Sequence, residues 1–232
     1  MSVLNLHLLN SYFEMSLSAA KYTSKLILNS SSPFFISFPG GSTPVLYFKI
    51  LAGLPSLYNH WHRVFIFQGD ERLVQPDSHL LNSKLLDNHF FAFIPHLKPK
   101  FFKIDTSTSN PHKIASDYAS LISSLLPLDN NRLPSFDLTV LGLGNDGHTA
   151  SVFPESQAVH SHNPFILPVP PPTTSQPCVP RITMTIPLIN ASKNKLFLLS
   201  GLSKLSLLKS HNISYPFTHV TNPIFFASIH NK

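Results

Sequence analysis

A single cysteine, Cys178, stands among the 232 residues, which excludes an intrachain disulfide and any metal site built from several thiolates. It lies among prolines with nothing nearby in sequence to activate it, so an incidental loop thiol is the expectation. Charge is scarce too, with 12% Asp, Glu, Lys and Arg beside 43% hydrophobic residues. A disordered chain has the reverse balance, and this composition points to a packed core. No stretch approaches the ~20 apolar residues of a membrane span. The N-terminus lacks the basic segment and long apolar run of a secretory signal. A cytoplasmic protein without a membrane partner is expected. The length suits one sizeable core, so residues 1–232 read as one domain.

Acids are rarer than bases, 11 against 17, for a formal charge of +6. A nucleic-acid binder concentrates its cations on a stripe or helix. Here they are scattered singly. The chain is therefore expected to bind no nucleic acid, while its net positive field suits an anionic metabolite.

Strand-like and helix-like segments alternate almost to the end. Residues 33–38, 63–67, 136–141 and 195–199 are short and rich in aromatic and aliphatic groups, as strands buried on both faces are. The clearest helix has Asn110 as N-cap and Pro111 at N1, with Ile114, Tyr118, Leu121, Ile122 and Leu125 on one face. Residues 12–29, 43–52, 79–91 and 202–210 are further helix candidates. This alternation predicts an α/β fold, an open and mostly parallel sheet covered by helices. Residues 164–180 carry seven prolines, too many for a helix or central strand, and read as a surface connection within the domain. No internal repeat is present.

In such sheets ligands bind beyond the carboxyl ends of the strands, which directs attention to three loops. Pro39-Gly40-Gly41-Ser42-Thr43-Pro44 follows the first strand. Gly40 and Gly41 let the backbone approach a ligand, Ser42 or Thr43 can cap the next helix, and Pro44 suits its first turn. That is an anion site or a plain strand-to-helix turn using the same residues. Gln68-Gly69-Asp70-Glu71-Arg72 follows the second strand. If extended, it puts Asp70 and Arg72 on one side and Glu71 on the other. The pair could bind sugar hydroxyls and a developing oxyanion, although taken alone the segment reads first as a surface ion cluster.

The third loop, residues 142–151, has three glycines in six residues and brings His148 two positions after Asp146. A histidine so placed is a candidate general base. His60 and His62 lie close together, but no further spaced ligands complete a metal set.

Together these loops resemble the 6-phosphogluconolactonase family, which shares its fold with the glucosamine-6-phosphate deaminases. The matching segments are Gly40 to Pro44, Asp70-Glu71-Arg72, Gly144 to Ser151, and Arg181-Ile182-Thr183 with Pro187. Gly201 to Lys204 matches more weakly. The Thr149-Ala150-Ser151 ending, and Arg72 where the deaminases have tyrosine, look like the lactonase branch. The resemblance implies a fold of the deaminase and lactonase type, no metal or cofactor, and 6-phosphoglucono-δ-lactone as substrate. It implies His148 as base, and phosphate contacts from Ser42, Thr43, Arg181 and Lys204.

Arg72 is then the candidate oxyanion donor. Asp146 either orients the imidazole or binds a sugar hydroxyl. The sequence departs from the family in having Asn82-Ser83 where Ser-Asn is usual, and in lacking a tryptophan and an aspartate near residues 224–227. The chain also stops early relative to the family, and a shortened terminus is expected to lower stability. A monomer is the default. The competing readings are an amino-sugar-phosphate deaminase, a sugar-phosphate-binding regulator without turnover, and a basic nucleic-acid binder.

Overall fold

The computed structural model describes residues 4–96, 99–173, 175–210 and 212–232. The chain begins with β1 (Asn5–Leu9), α1 (Tyr12–Asn29), β2 (Phe34–Phe38) and α2 (Val45–Ala52). It continues through β3 (Val64–Gln68), β4 (Asp70–Arg72), α3 (Asn82–His89), β5 (Lys100–Phe102) and α4 (Pro111–Leu125). After β6 (Leu138–Leu141) come β7 (Ile166–Val169), β8 (Arg181–Met184), α5 (Ile186–Asn190), β9 (Asn194–Ser200), α6 (Leu202–Lys209) and β10 (Ile224–Ser228).

Seven strands form one sheet in the order β1-β10-β9-β6-β2-β3-β5, with every pairing parallel. Alternate residues of each strand face opposite ways, and the buried side chains divide into two cores accordingly. Ile36, Ile66, Val140 and Leu198 pack with Met15 and Ala19 of α1 and Tyr47 and Leu51 of α2. Phe67, Leu141, Phe197 and Leu199 pack with Ile114, Tyr118 and Ile122 of α4. The N-cap of α4 forms as its sequence predicts, Asn110 Oδ1 accepting from the amides of His112 and Lys113 at 3.1 and 3.2 Å.

Three expectations need correction. Residues 70–72 are a strand: β4 pairs antiparallel with β8, and β8 with β7, in a second sheet of three. The proline-rich stretch is in part β7, and Pro168 is tolerated because β7 lies at the edge of that small sheet. Neither Ser42 nor Thr43 caps α2. The N-cap is Pro44 with no side-chain bond, and the Tyr12 hydroxyl accepts instead from Leu46 N at 3.3 Å while donating to Thr43 O at 2.8 Å.

Among the described residues, no helix is long and apolar enough to cross a membrane. Cys178 is exposed and unpaired.

Candidate functional site

Strand order reverses direction between β2 and β6: the chain runs outward from β2 through β3 to β5, then returns to β6 and runs the other way. A crevice opens at the carboxyl ends of strands at such a switch point. A cavity of about 170 Å³ lies there, walled by residues 39–44 after β2, Asp70 and Arg72 of β4, Gly142 to Gly144 and His148 after β6, and Arg181 of β8. A larger hollow of about 660 Å³ between α4 and β7 is lined by serines, alanines and prolines with His112, so chemistry and not size selects the site.

His148 and Asp146 form a hydrogen-bonded pair at this cavity. Their Nδ1 and Oδ1 atoms are 2.5 Å apart, and the same carboxylate oxygen accepts from His148 N at 3.2 Å. Both side chains are largely buried. The loop backbone passes so close that a Cβ on Gly144 would overlap the His148 ring, which only glycine avoids.

A carboxylate accepts and cannot donate. His148 Nδ1 therefore carries a proton toward Asp146, and in the neutral imidazole Nε2 is the nitrogen left with a lone pair.

Two arginines enter from neighbouring strands of the small sheet, paired residue for residue at Arg72 and Arg181. Arg72 Nη1 donates to Leu80 O at 2.5 Å. Arg181 Nη2 donates to Pro177 O at 2.9 Å, and its Nη1 lies 3.5 Å from Ser151 Oγ. Both Nε donors are buried without a protein acceptor, an arrangement that suits a ligand rich in oxygen acceptors. Burial pulls the Arg181 pKa down, Asp70 and Asp146 act against that, and Arg72 reinforces it.

Asp70 is committed to structure as well as to the cavity, since its Oδ2 accepts from Ser151 Oγ at 2.6 Å. Asn82 Nδ2 donates to Asp70 O at 2.9 Å. That amide fills the space beneath Gly40, where a Cβ would overlap it.

Glu71 turns to the opposite side, as alternation requires, and is fully buried. Its carboxylate accepts from Gln68 Nε2 and from the amides of Arg72, Asn82 and Ser83 at 2.6–2.8 Å. Burial pushes its pKa up, and these four bonds draw it back. It thereby ties the start of α3 to β4.

Of the ten residues singled out from sequence, Gly40, Gly41, Ser42, Thr43, Asp70, Arg72, His148 and Arg181 meet around one cavity. Asp146 backs His148 and borders a separate hollow. Lys204 stays off the wall, donating to Asn145 Oδ1 at 2.5 Å, with its pKa lowered by burial against the pull of Asp146.

Sequence reasoning missed Ser151 as the partner of Asp70, although it lies within the matched segment. It also missed Lys232, whose ammonium donates to Ser42 Oγ and for which no sequence signal exists. No group of three or more His, Cys, Asp or Glu able to hold a metal is found among the described residues.

A family model described as Glucosamine-6-phosphate isomerases/6-phosphogluconolactonase matches residues 13–224. The 6-phosphogluconolactonase of Synechocystis sp. is 32% identical over 171 residues, spanning 73% of this chain and 67% of that protein. The 6-phosphogluconolactonase of Haemophilus influenzae is 31% identical over 191 residues, spanning 79% and 78%. The solved 6-phosphogluconolactonase of Trypanosoma brucei superposes with a TM-score of 0.85 at 27% identity, covering 97% of this chain and 96% of that one. By its sequence over most of its length and by its fold, the chain belongs to the glucosamine-6-phosphate isomerase/6-phosphogluconolactonase family.

Proposed function

We propose that this protein hydrolyses 6-phosphoglucono-δ-lactone to 6-phosphogluconate, in the oxidative pentose phosphate pathway. The observation that carries this reading is the Asp146–His148 pair beside a small cavity whose other walls hold two arginines and the Gly40–Thr43 loop. An acid-oriented imidazole, with cations arranged around one small polar ligand, is the equipment of water activation next to an anion site.

His148 Nε2 takes a proton from water, which attacks the lactone carbonyl. Arg72 donates to the oxyanion as it forms, in a site where burial strengthens the interaction. Collapse of the tetrahedral intermediate breaks the ring C–O bond, and the protonated imidazole returns its proton to the departing oxygen. Asp146 fixes the tautomer that makes this exchange possible. Asp70, held by Ser151, sits beside Arg181 as a compensating charge. Arg181, Ser42 and Thr43 hold the phosphate, with Lys204 close by at Asn145. Binding energy from that remote group positions a small ring for attack. The exposed free thiol of Cys178 is in keeping with a reducing cytoplasm.

The test is hydrolysis of freshly generated 6-phosphogluconolactone by purified protein, corrected for spontaneous ring opening. Acid release at enzymatic rates is expected. No rate above background would overturn the assignment, and ammonia release from glucosamine 6-phosphate would move it to the deaminase branch.

A further inference from the structure

The turn after His148 reverses sharply. Ala150 adopts φ 49°, Thr149 and Val152 pair as an antiparallel bridge, and Val152 N donates to Thr149 O at 2.9 Å. This reversal carries Phe153 back over the base: the two rings have centroids 4.7 Å apart and planes inclined at 48°. The same ring takes the guanidinium of Arg181, whose central carbon lies 5.4 Å from its centroid. One half-buried phenyl group therefore touches both the general base and the cation assigned to phosphate, which arrive from a loop and a strand about thirty residues apart. Phe153 is not part of the 170 Å³ cavity wall. It lines a separate hollow of about 720 Å³ together with Asp146.

The geometry points to Phe153 as a positioning residue that couples the phosphate anchor to the base. The inference rests on the proposed lactone hydrolysis. The imidazole is held by its Nδ1 bond to Asp146 and by the close backbone at Gly144, and the phenyl ring adds the contact that links it to Arg181. On Arg181, the ring face holds the guanidinium by a cation–π contact and leaves its edge, where Nε has no protein acceptor, open to oxygen acceptors. Phosphate bound at Arg181 is then registered through one rigid ring against the base that must meet the lactone carbon. Small errors in such registration are costly to turnover.

Phe153→Leu and Phe153→Tyr test this in the full chain, with 6-phosphogluconolactone and unphosphorylated gluconolactone as the two substrates. Phe153→Leu is expected to lower kcat on the phosphorylated lactone about tenfold. Its preference for that lactone should shrink, while Phe153→Tyr keeps the ring and restores both quantities. A purely structural residue would reduce the active fraction and scale both substrates alike. An unchanged ratio of the two efficiencies in Phe153→Leu therefore overturns the coupling, whatever the overall loss.

A second readout needs no turnover. The imidazole C–H resonances of His148 should move in Phe153→Leu, as the ring current is lost, and stay in place in Phe153→Tyr. Unmoved resonances in Phe153→Leu refute the contact itself. Wild-type protein inactive on both lactones would refute the proposed reaction and leave this spectral arm to decide the ring contact.

Discussion

His148 Nδ1 lies 2.5 Å from Asp146 Oδ1, and the two residues share one loop with a single residue between them. The pair is thus assembled by local chain geometry and needs no other element to bring it together. His148→Asn is expected to fold normally and lose turnover by roughly 10² to 10⁴, the usual worth of a positioned general base. Asp146→Asn should lose about 10², and the double variant little more than His148→Asn alone, because residues acting as a unit are not additive. Steady-state kcat for the three variants decides it. Additive losses would separate Asp146 from the base and assign it to a sugar hydroxyl.

Arg72→Lys keeps the charge and removes the fork. Lysine carries its three N–H groups on one nitrogen and cannot reproduce the planar fork in which Arg72 Nη1 bonds Leu80 O while Nε stays without a protein acceptor. Turnover should fall by roughly 10² with KM nearly unchanged if Arg72 meets the oxyanion. A rise in KM alone would make it a ground-state contact.

Arg181→Ala separates phosphate recognition from folding. Efficiency on 6-phosphogluconolactone should drop sharply, and the slow reaction with gluconolactone should change little. Both are to be measured at fixed ionic strength, since steering by charge weakens with salt. Equal losses on the two lactones would show a structural role, which its bond to Pro177 O could supply.

Glu71→Gln addresses stability. The buried carboxylate accepts four bonds, and an amide would turn an N–H toward donors on one side. The loss should be about 2–4 kcal/mol, the range for stranding buried polar groups. It would be read as a lower urea midpoint at constant slope. A midpoint within experimental scatter of wild type would show that α3 is anchored by other contacts.

Much of this was legible in the sequence because it is local. The strands at 34–38, 64–68 and 194–200 are each built around aromatic and aliphatic residues, as two-sided burial demands. The 142–151 loop carries its own glycines, acid and base. What escaped depends on distant partners. β4 is three residues long and becomes a strand only through β8, more than a hundred residues away. β1 is mostly exposed and β5 has three residues, so neither shows a clear period. The start of α2 could not be read from Ser42 and Thr43, since the group that takes its amide is the Tyr12 hydroxyl of α1. Lys232 meets Ser42 across nearly the whole chain, by tertiary folding alone.

The placement of β10 bears on how this protein is made. It lies between β9 and β1, in register with both, so β1 has no neighbour in this sheet until β10 is synthesised. During that interval β1 is an unpaired segment, and β9 presents an open backbone edge of the kind that recruits foreign strands. Such long-range parallel pairing is slow to form. The half of the sheet carrying β2, β3 and β6, and with it part of the framework of the candidate site, can assemble earlier. A chain truncated before β10, near residue 220, should therefore have much of the candidate site framed and its opposite flank prone to aggregation.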